Sequence, residues 1–316
     1  TRRPPPPDPM TTLATKRDFL TLDDLTPEEL RETLELARRL KSGEVRDTPL
    51  VGKTLIMIFR KHSTRTRVSF EIGMNQLGGD AVFLSDRDSQ MGRGESLQDT
   101  AKVLSGYGDG LMVRTWGHGE LQVFAEHAEI PVINGLTDLV HPCQILTDLL
   151  TMVEVFGEVR DRTVAWVGDG NNVANSWLRA ARMMDFRIRV ACPEGYAPDD
   201  DVSEWAAETG HAEFVSDPVQ AVEGAHVVVT DTWVSMGQEE EHAIREAAFA
   251  PYRVTTELMD RAADDAVFMH CLPAHRGHEV DAEVIDGPRS VVIQEAHNRL
   301  HAQKALLVRL LGLTHP

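Results

Sequence analysis

The chain has 316 residues, of which 42% are hydrophobic, and it contains three widely spaced cysteines. Its length accommodates two domains of roughly 100–200 residues, each with its own core. A formal net charge of −18 argues against a nucleic-acid-binding surface, and no apolar run reaches the roughly 18 residues of a membrane span. Because the cysteines form no CxxC pair, we expect a reducing compartment, by default the cytoplasm.

The predicted elements begin after a proline-rich segment. Residues 1–9 are polar and rich in proline, without the apolar core of a signal peptide, and we expect a disordered extension over 1–17. Thr26 and Pro27 predict the start of an amphipathic helix over 27–40. Candidate strands, which are short apolar and β-branched runs, lie at 54–59, 81–84, 111–113, 131–133, 163–167, 187–191, 213–215, 226–230, 267–270 and 290–293.

The alternation of strands and helices predicts an α/β fold with two domains, each a parallel sheet flanked by helices. A long apolar helix over 141–156 would join the two halves, and a second over 295–311 would pack back on the first domain. The predicted division is an extension, a first domain, a second domain and a C-terminal helix, at 1–17, 18–145, 146–294 and 295–316.

A cationic segment follows the first strand. Residues 60–67 read Arg-Lys-His-Ser-Thr-Arg-Thr-Arg. The apolar residues that follow are spaced as on one face of a helix. Ser63 therefore lies at a helix N-terminus, where unpaired N–H groups and a partial positive charge favour anions. The hydroxyls of Thr64 and Thr66 and the guanidinium of Arg65 add donors suited to a phosphate group. The simpler alternative is an ordinary serine cap followed by a solvated basic run.

Polar residues also follow other predicted strands. In open parallel sheets, ligands bind at the carboxyl ends of the strands. Arg114, Asn134 and His141 follow strands of the first half, so we expect them at one edge of the first sheet beside the cationic segment. A second ligand site is predicted from three segments of the second half, at 168–172, 231–237 and 270–274.

One motif suggests a different class of enzyme. Gly168-x-Gly170 lies between a predicted strand and a helix, as the start of a dinucleotide-binding fingerprint does. This motif would make the protein an NAD-dependent oxidoreductase. Val173 replaces the third glycine, however, and no acidic residue is well placed about 20 positions further on, so the dinucleotide signal is weak.

Several candidate residues have structural explanations. His141 precedes a proline and could simply cap a helix, and Cys271 could be an inert core residue. His297 and His301 are spaced by one helical turn, but the sequence offers no evident third ligand beside them. No metal site is therefore expected.

Five motifs resemble those of the aspartate and ornithine carbamoyltransferase family. Residues 59–70, Phe-Arg-Lys-His-Ser-Thr-Arg-Thr-Arg-Val-Ser-Phe, are similar to its carbamoyl-phosphate loop. The other motifs are HPCQ at 141–144, GDGNNVANS at 168–176, TDTWVSMG at 230–237 and HCLP at 270–273. The resemblance covers nearly the whole chain after residue 18, and the last two motifs favour the ornithine branch. Two small departures are Cys143, where threonine is common, and Arg276-Gly277 after HCLP.

The resemblance implies roles for individual residues. Carbamoyl phosphate would be bound by Ser63, Thr64, Arg65, Thr66, Gln90, Arg114, His141, Gln144, Cys271, Leu272 and Arg299. Gln90 would reach the site of a neighbouring subunit. Ornithine would be bound by Asn172, Asp231, Ser235 and Met236. The residues implied in catalysis are Arg65, Arg114, His141, Gln144 and Cys271.

The implied reaction moves a carbamoyl group from carbamoyl phosphate to the δ-amine of L-ornithine, giving L-citrulline and phosphate. The first domain would bind carbamoyl phosphate and the second ornithine. No cofactor is expected, because the carbonyl group arrives already activated. The resemblance also implies a homotrimer or a multiple of trimers. The net charge and the lack of a long apolar run predict no nucleic-acid or membrane partner.

Other functions stay open at the level of the sequence. A carbamoyltransferase of this type could use another amine, such as putrescine or N-acetylornithine. A regulatory protein that binds a phospho-ligand without turnover is the non-enzymatic alternative. Arginine synthesis and arginine breakdown are both compatible with the sequence.

Overall fold

The computed structural model describes residues 16–85, 94–234 and 241–312. Residues 1–15, the larger part of the predicted extension, lie outside these ranges. The strands are β1 (Thr54–Phe59), β2 (Asp80–Ser85), β3 (Gly110–Arg114), β4 (Val132–Leu136), β5 (Thr163–Val167), β6 (Arg187–Ala191), β7 (Ala212–Val215), β8 (Val227–Thr230) and β9 (Val267–His270). The helices are α1 (Pro27–Ser42), α2 (Thr64–Gln76), α3 (Leu97–Ser105), α4 (His118–His127), α5 (Pro142–Phe156), α6 (Asn172–Met184), α7 (Asp200–Glu208), α8 (Pro218–Val222), α9 (His242–Phe249), α10 (Thr256–Met259), α11 (Ala282–Ile285) and α12 (Val292–Leu311).

Two parallel sheets organise the chain. The first has the strand order β2-β1-β3-β4, and the second has the order β7-β6-β5-β8-β9. Every strand pair within them is parallel. Helices link consecutive strands, as parallel pairing requires. The predicted α/β fold of two parallel sheets flanked by helices is confirmed.

The apolar strand sequences fit their buried positions. All five residues of β3 and of β5 are buried, as expected for central strands covered on both faces. Phe59 at the end of β1 pairs with Arg114 at the end of β3. The segments that follow these two strands therefore leave the first sheet at the same edge.

Two long helices join the halves of the molecule. Helix α5 leads from the first sheet to the second, and its residues 142–152 are all buried. Helix α12 packs against α5, α1 and α2. Leu149 of α5 and Leu306 of α12 are fully buried, and Asn298 Nδ2 donates to Thr151 Oγ1 at 2.9 Å. Within the described ranges, no helix combines the length and the apolar character that crossing a membrane requires.

Two expectations from the sequence are wrong. Residues 290–293 do not form a strand: Ser290 makes only an isolated bridge to Phe268, and α12 already begins at Val292. The run is β-branched, but Val292 is buried while Ile293 is exposed, so a helical surface decides its conformation. Asn134 lies inside β4 rather than beyond its end. Its buried Nδ2 donates to the carbonyl of Leu20 at 2.8 Å, which makes it part of the fold.

Candidate active site

A cleft of about 940 Å³ lies between the two sheets. Its walls come from the segments that follow β1, β3 and β4 on one side and β5, β8 and β9 on the other. This is the edge at which parallel sheets bind ligands. The cleft brings together most of the predicted site residues: Ser63, Thr64, Arg65, Thr66, Arg114, His141, Gln144, Asn172, Asp231, Cys271, Leu272 and Arg299. Gln90, Ser235 and Met236 lie outside the described residues.

The N-terminus of α2 opens into this cleft. Ser63 is the N-cap, and its Oγ accepts a hydrogen bond from the N–H of Thr66 at 3.2 Å. The helix dipole and the first-turn N–H groups make this end attractive to an anion. Arg65, in the first turn, reaches across the cleft and donates to the carbonyl of Leu272. The cationic segment thus contacts the second half of the chain.

Two buried arginines stand beside the helix end. Arg114 and Arg299 are each 6% exposed, and neither forms an ion pair with a carboxylate of the described residues. Burial lowers the pKa of Arg114 to about 9, and the charge of Arg299 adds to this shift. Burial likewise lowers the pKa of Arg299. Unpaired cations in such surroundings are costly, and a bound anion would offset that cost.

The side chain of His141 is kept neutral. Its pKa lies well below the ordinary value because the ring is buried, and the charges of Arg299 and Arg114 oppose protonation further. Its backbone N–H donates to Ser176 Oγ at 2.7 Å, while ring Nδ1 has no partner among the described residues. A neutral imidazole in the cleft offers one donor and one acceptor without adding charge.

Gln144 is held by charged groups on both of its polar atoms. Its Oε1 accepts from Arg299, whose Nη2 also donates to Thr66 Oγ1 at 3.2 Å. Its Nε2 donates to Asp148 at 2.7 Å and to Glu295 at 2.9 Å. The amide orientation is therefore fixed, because a flipped amide would point donors at Arg299 and an acceptor at the carboxyl groups.

The opposite wall carries an acidic group. Asp231, after β8, accepts from Asn171 Nδ2 at 2.7 Å, from the N–H of Thr232 at 2.8 Å and from Cys271 Sγ at 3.2 Å. Burial raises the pKa of Cys271 well above its ordinary value, and Asp231 contributes to the rise. Cys271 is thus a neutral thiol that donates a hydrogen bond, whereas a nucleophilic cysteine needs a lowered pKa.

Some cleft residues were not singled out from the sequence. Asn171, rather than Asn172, contacts Asp231, whereas Asn172 Nδ2 donates to the carbonyl of Thr137 at 2.6 Å. Lys61 lines the cleft and pairs with Asp138 at 2.6 Å. The doubled asparagine was a visible signal for Asn171, but the sequence does not reveal which of the two amides faces the ligand.

A buried ion pair braces the wall beside Asp231. Asp169 pairs with Arg245 at 2.6 Å, and Arg245 also donates to the carbonyl of Trp233 at 2.5 Å. Burial raises the pKa of Asp169 to about 6, although the charge of Arg245 opposes the rise. Through Arg245, these contacts join Asp169, which follows β5, to Trp233, which follows β8.

The second glycine of this motif, Gly170, is required by packing. A side chain at Gly170 would place its Cβ 2.1 Å from the backbone nitrogen of Pro198, so only glycine fits. At the following helix end, Asn171 Oδ1 accepts from the N–H groups of Val173 and Ala174 at 2.9 and 3.3 Å. A dinucleotide pyrophosphate would need such N–H groups for itself. The geometry therefore does not favour NAD binding.

One group of potential metal ligands lies in the described part of the cleft. Asp231, His270 and Cys271 place ligand atoms within 4.8 Å of one another. His270 Nδ1 already accepts from the N–H of Leu272 at 2.9 Å, and Nε2 lies 3.4 Å from a Glu279 carboxylate oxygen. Because Nδ1 is engaged by the backbone and Nε2 faces the carboxylate of Glu279, this imidazole is a poor metal ligand.

The chain belongs to the aspartate/ornithine carbamoyltransferase family. Residues 17–154 match the family's carbamoyl-P binding domain, and residues 160–310 match its Asp/Orn binding domain. The chain is similar to a protein named ornithine carbamoyltransferase from Hydrogenovibrio crunogenus, with 53% identity over 94% of this chain and 98% of the relative. It is also 53% identical to "Ornithine carbamoyltransferase, anabolic" from Pseudomonas aeruginosa, over 95% of this chain and 98% of the relative.

A solved structure supports the same relationship. The ornithine carbamoyltransferase from Pyrococcus furiosus superimposes with a TM-score of 0.91 and 48% identity, covering 97% of this chain and 100% of that chain. Fold and family therefore agree with the motifs.

The neutral state of Cys271 can be tested by alkylation. Iodoacetamide should modify Cys271 more slowly than a free cysteine at about pH 8, because burial and Asp231 both hold the thiol protonated. Asp231→Asn should accelerate the modification, followed by peptide mass spectrometry. The matched control is Asp138→Asn, which removes a cleft carboxylate that pairs with Lys61. It should not change the rate of modification. An unchanged rate in Asp231→Asn would contradict the assignment.

Proposed function

We propose that this protein transfers the carbamoyl group of carbamoyl phosphate to the δ-amine of L-ornithine, forming L-citrulline and phosphate. The observation that carries the proposal is the opposed charge of the two walls of one cleft. One wall presents buried arginines that have no carboxylate partner among the described residues, beside a helix N-terminus, and the other presents Asp231. A dianionic phosphate and an amino acid with a free ammonium group are complementary to these walls.

We assign the phosphate to the start of α2. Ser63, Thr64 and Thr66 would donate from hydroxyl or backbone groups, and Arg65 would add a charged hydrogen bond. Arg299 already donates to Thr66 Oγ1, so it is positioned to share the same anion. Because Ser63 and Thr66 are already hydrogen-bonded to each other at the start of α2, we expect little rearrangement there when the phosphate binds.

The carbamoyl group would contact the residues at the start of α5. Gln144 comes one helical turn after His141, so both project toward the same region. Arg114, together with the neutral ring of His141, would stabilise negative charge that develops on the carbonyl oxygen. The same three residues supply hydrogen bonds and a single positive charge close to the reacting carbon.

The ornithine side would fix the α-groups and leave the δ-amine free. Asp231 would bind the α-ammonium group, and Asn172 with Ser235 and Met236 would hold the α-carboxylate and backbone. Cys271 contacts Asp231 and is a neutral thiol, so it adds no negative charge that would favour a protonated δ-amine. Leu272 would contact the carbamoyl group from the same loop.

The reaction then balances without a cofactor. The neutral δ-nitrogen attacks the carbonyl carbon, the bond from that carbon to the phosphate oxygen breaks, and phosphate leaves. The phosphate accepts the proton that the nitrogen loses. Arg65, which contacts the Leu272 carbonyl across the cleft, links the two walls and would help exclude water from the labile substrate.

A free α-amino acid fits this site better than the alternative amines. Putrescine has no α-carboxylate, and N-acetylornithine has no α-ammonium group for Asp231. The relative from Pseudomonas aeruginosa carries the word anabolic in its name, which supports a role in arginine biosynthesis. We place that role in the cytoplasm.

We also propose a homotrimer, or a multiple of trimers. Val68 and Ile72 of α2 and Val82 of the edge strand β2 are exposed, and α2 packs against β2. Such an apolar face is typical of a subunit interface. Light scattering coupled to gel filtration should give three times the chain mass or a multiple of it, and Ile72→Asp should lower the mass. A wild-type protein of one chain would contradict the proposal.

The proposed activity is tested by a panel of amines. Ornithine, aspartate, putrescine and N-acetylornithine are each offered with carbamoyl phosphate, and the ureido product and phosphate are both measured. We expect citrulline from ornithine and no product from the other three. Turnover of another amine would overturn the assignment of the Asp231 wall. Binding of carbamoyl phosphate without any turnover would favour a regulatory protein.

Replacing Arg65 by alanine should weaken the phosphate site. The lost charge-assisted contact is worth about 1.5–3 kcal/mol, so kcat/KM should fall by about 10- to 150-fold. Arg38→Ala removes an exposed arginine of α1 that pairs with Glu35, and it should leave the rate unchanged. Equal rates in wild type and Arg65→Ala would remove Arg65 from the site.

Replacing Asp231 by alanine should separate the two substrates. The apparent KM for ornithine should rise by about tenfold or more, since the α-ammonium group loses its carboxylate, while the KM for carbamoyl phosphate changes far less. Steady-state kinetics with each substrate varied in turn measures both values. Equal increases for both substrates would break the assignment of opposite walls to different substrates.

A further inference from the structure

Two carboxyl groups are buried together behind Gln144. Asp148 lies one turn after Gln144 on α5, and Glu295 lies in the first turn of α12. Their side chains are almost fully buried, with residue exposures of 2% and 1%. Gln144 Nε2 donates to both, and Glu295 Oε2 also accepts from the N–H of His270 at 3.0 Å. The pair therefore joins α5, α12 and the end of β9.

The surroundings do not supply charge for two carboxylates. No basic group of the described residues forms an ion pair with either one, and the buried cation Arg299 is linked to them through Gln144. Burial raises the pKa of Asp148 to about 7. It raises the pKa of Glu295 well above its usual range, and the charge of Asp148 adds to that rise. Asp231 and Cys271 lie close enough to affect these groups, and neither contributes positive charge.

We infer that Asp148 and Glu295 share one proton at neutral pH, and that this pair positions the Gln144 amide for recognition of the carbamoyl NH₂ group. Both hydrogens of Gln144 Nε2 are directed to the carboxyl pair, so they are not available to a ligand. The Oε1 atom accepts from Arg299 and retains one lone pair. Gln144 thus presents an acceptor, which suits an NH₂ donor and not a carbonyl oxygen.

The shared proton matters for this geometry. A protonated Glu295 donates to Asp148, so the two groups attract each other and remain within reach of one amide nitrogen. Two carboxylates would repel each other in surroundings of low dielectric, as paired acids in other buried sites do. Glu295 and Asp148 are positioning residues, because they act on substrate through Gln144.

Infrared spectroscopy tests the shared proton without reference to turnover. The difference spectrum between wild type and Glu295→Gln at neutral pH should contain a carboxylic-acid C=O band that shifts in D₂O. Glu154 is the matched control, since it is a carboxyl group of α5 that accepts hydrogen bonds from Gln294 and Asn298 of α12. Burial alone would raise the pKa of Glu154, but hydrogen bonds from Lys41, Gln294 and Asn298 outweigh it and lower the pKa. Glu154→Gln should show a lost carboxylate band only.

Absence of an acid band in the Glu295→Gln difference spectrum would overturn the shared proton. The readout applies to the folded protein whatever reaction it catalyses. A failure of the amine panel would count against the proposed function and leave the infrared result intact, so the two failures are distinguishable.

Recognition by Gln144 is tested with acetyl phosphate, which carries a methyl group in place of the NH₂ group. This inference rests on the proposed function, because it takes carbamoyl phosphate as the ligand. Glu295→Ala should raise the KM of carbamoyl phosphate by about 10- to 100-fold, while the inhibition constant of acetyl phosphate changes by less than about twofold. Glu295→Gln keeps a neutral hydrogen-bonding side chain. It should restore most of the preference for carbamoyl phosphate over acetyl phosphate.

Two outcomes would overturn the positioning role. Equal losses for carbamoyl phosphate and acetyl phosphate would mean that Glu295 supports the cleft as a whole rather than the amide of Gln144. The other outcome is a Glu295→Ala variant that prefers carbamoyl phosphate over acetyl phosphate as strongly as the matched variant Glu154→Ala does. This would mean that the carboxyl pair does not orient Gln144.

Discussion

The site depends on one constraint, which is the burial of positive charge that no carboxylate in the described part of the chain pairs with. Arg114 and Arg299 are both desolvated, and the lowered pKa of each expresses the free-energy cost. A folded chain accepts such a cost where function requires it, and the surrounding core must offset it. The extensive contacts of α12 with α5, α1 and α2 are the most evident source of that stabilisation. A dianionic substrate would then bind to charges that are already in place.

Two further ionisable groups of the cleft are held neutral. His141 lies beside two arginines and stays deprotonated, while Cys271 lies beside Asp231 and stays protonated. The environment selects the uncharged form in both cases, by opposite shifts. Charges without an ion-pair partner in the described residues are therefore separated, with Arg114 and Arg299 on the side of α2 and Asp231 on the opposite side. A neutral amine can reach an activated carbonyl between them without meeting a competing nucleophile or base.

The sequence predicts the fold well because the strands are short apolar runs at regular spacing. Each run corresponds to a strand of a sheet. The predicted bounds are confirmed for three of them, Thr163–Val167, Arg187–Ala191 and Val267–His270. The strand predicted at 290–293 is wrong because β-branched residues also occur at the buried start of a helix. Tertiary contacts there outweigh the local preference for a strand. Asn134 was predicted to follow a strand because the apolar run ends at Ile133, whereas β4 continues through Asn134 and Gly135 to Leu136.

The site is predictable to the level of the motif and less so to the level of the atom. Ligand-facing residues follow strand ends, so motif positions alone bring Ser63, Arg114 and Asp231 into one cleft. Hydrogen-bond partners depend on side-chain directions that only the folded backbone fixes. Asn171 and Asn172 are adjacent yet contact different walls, and Asp148 and Glu295 are distant in sequence yet share one amide.

A crystal structure with a bisubstrate compound, a phosphonate joined through an acyl group to the δ-nitrogen of ornithine, tests the opposed-wall cleft most directly. We expect the phosphonate at the N-terminus of α2 with Arg65, Arg114 and Arg299, and the α-ammonium group at Asp231. A phosphonate bound away from the α2 N-terminus, or an ornithine moiety that does not contact Asp231, would contradict the assignment of the two walls.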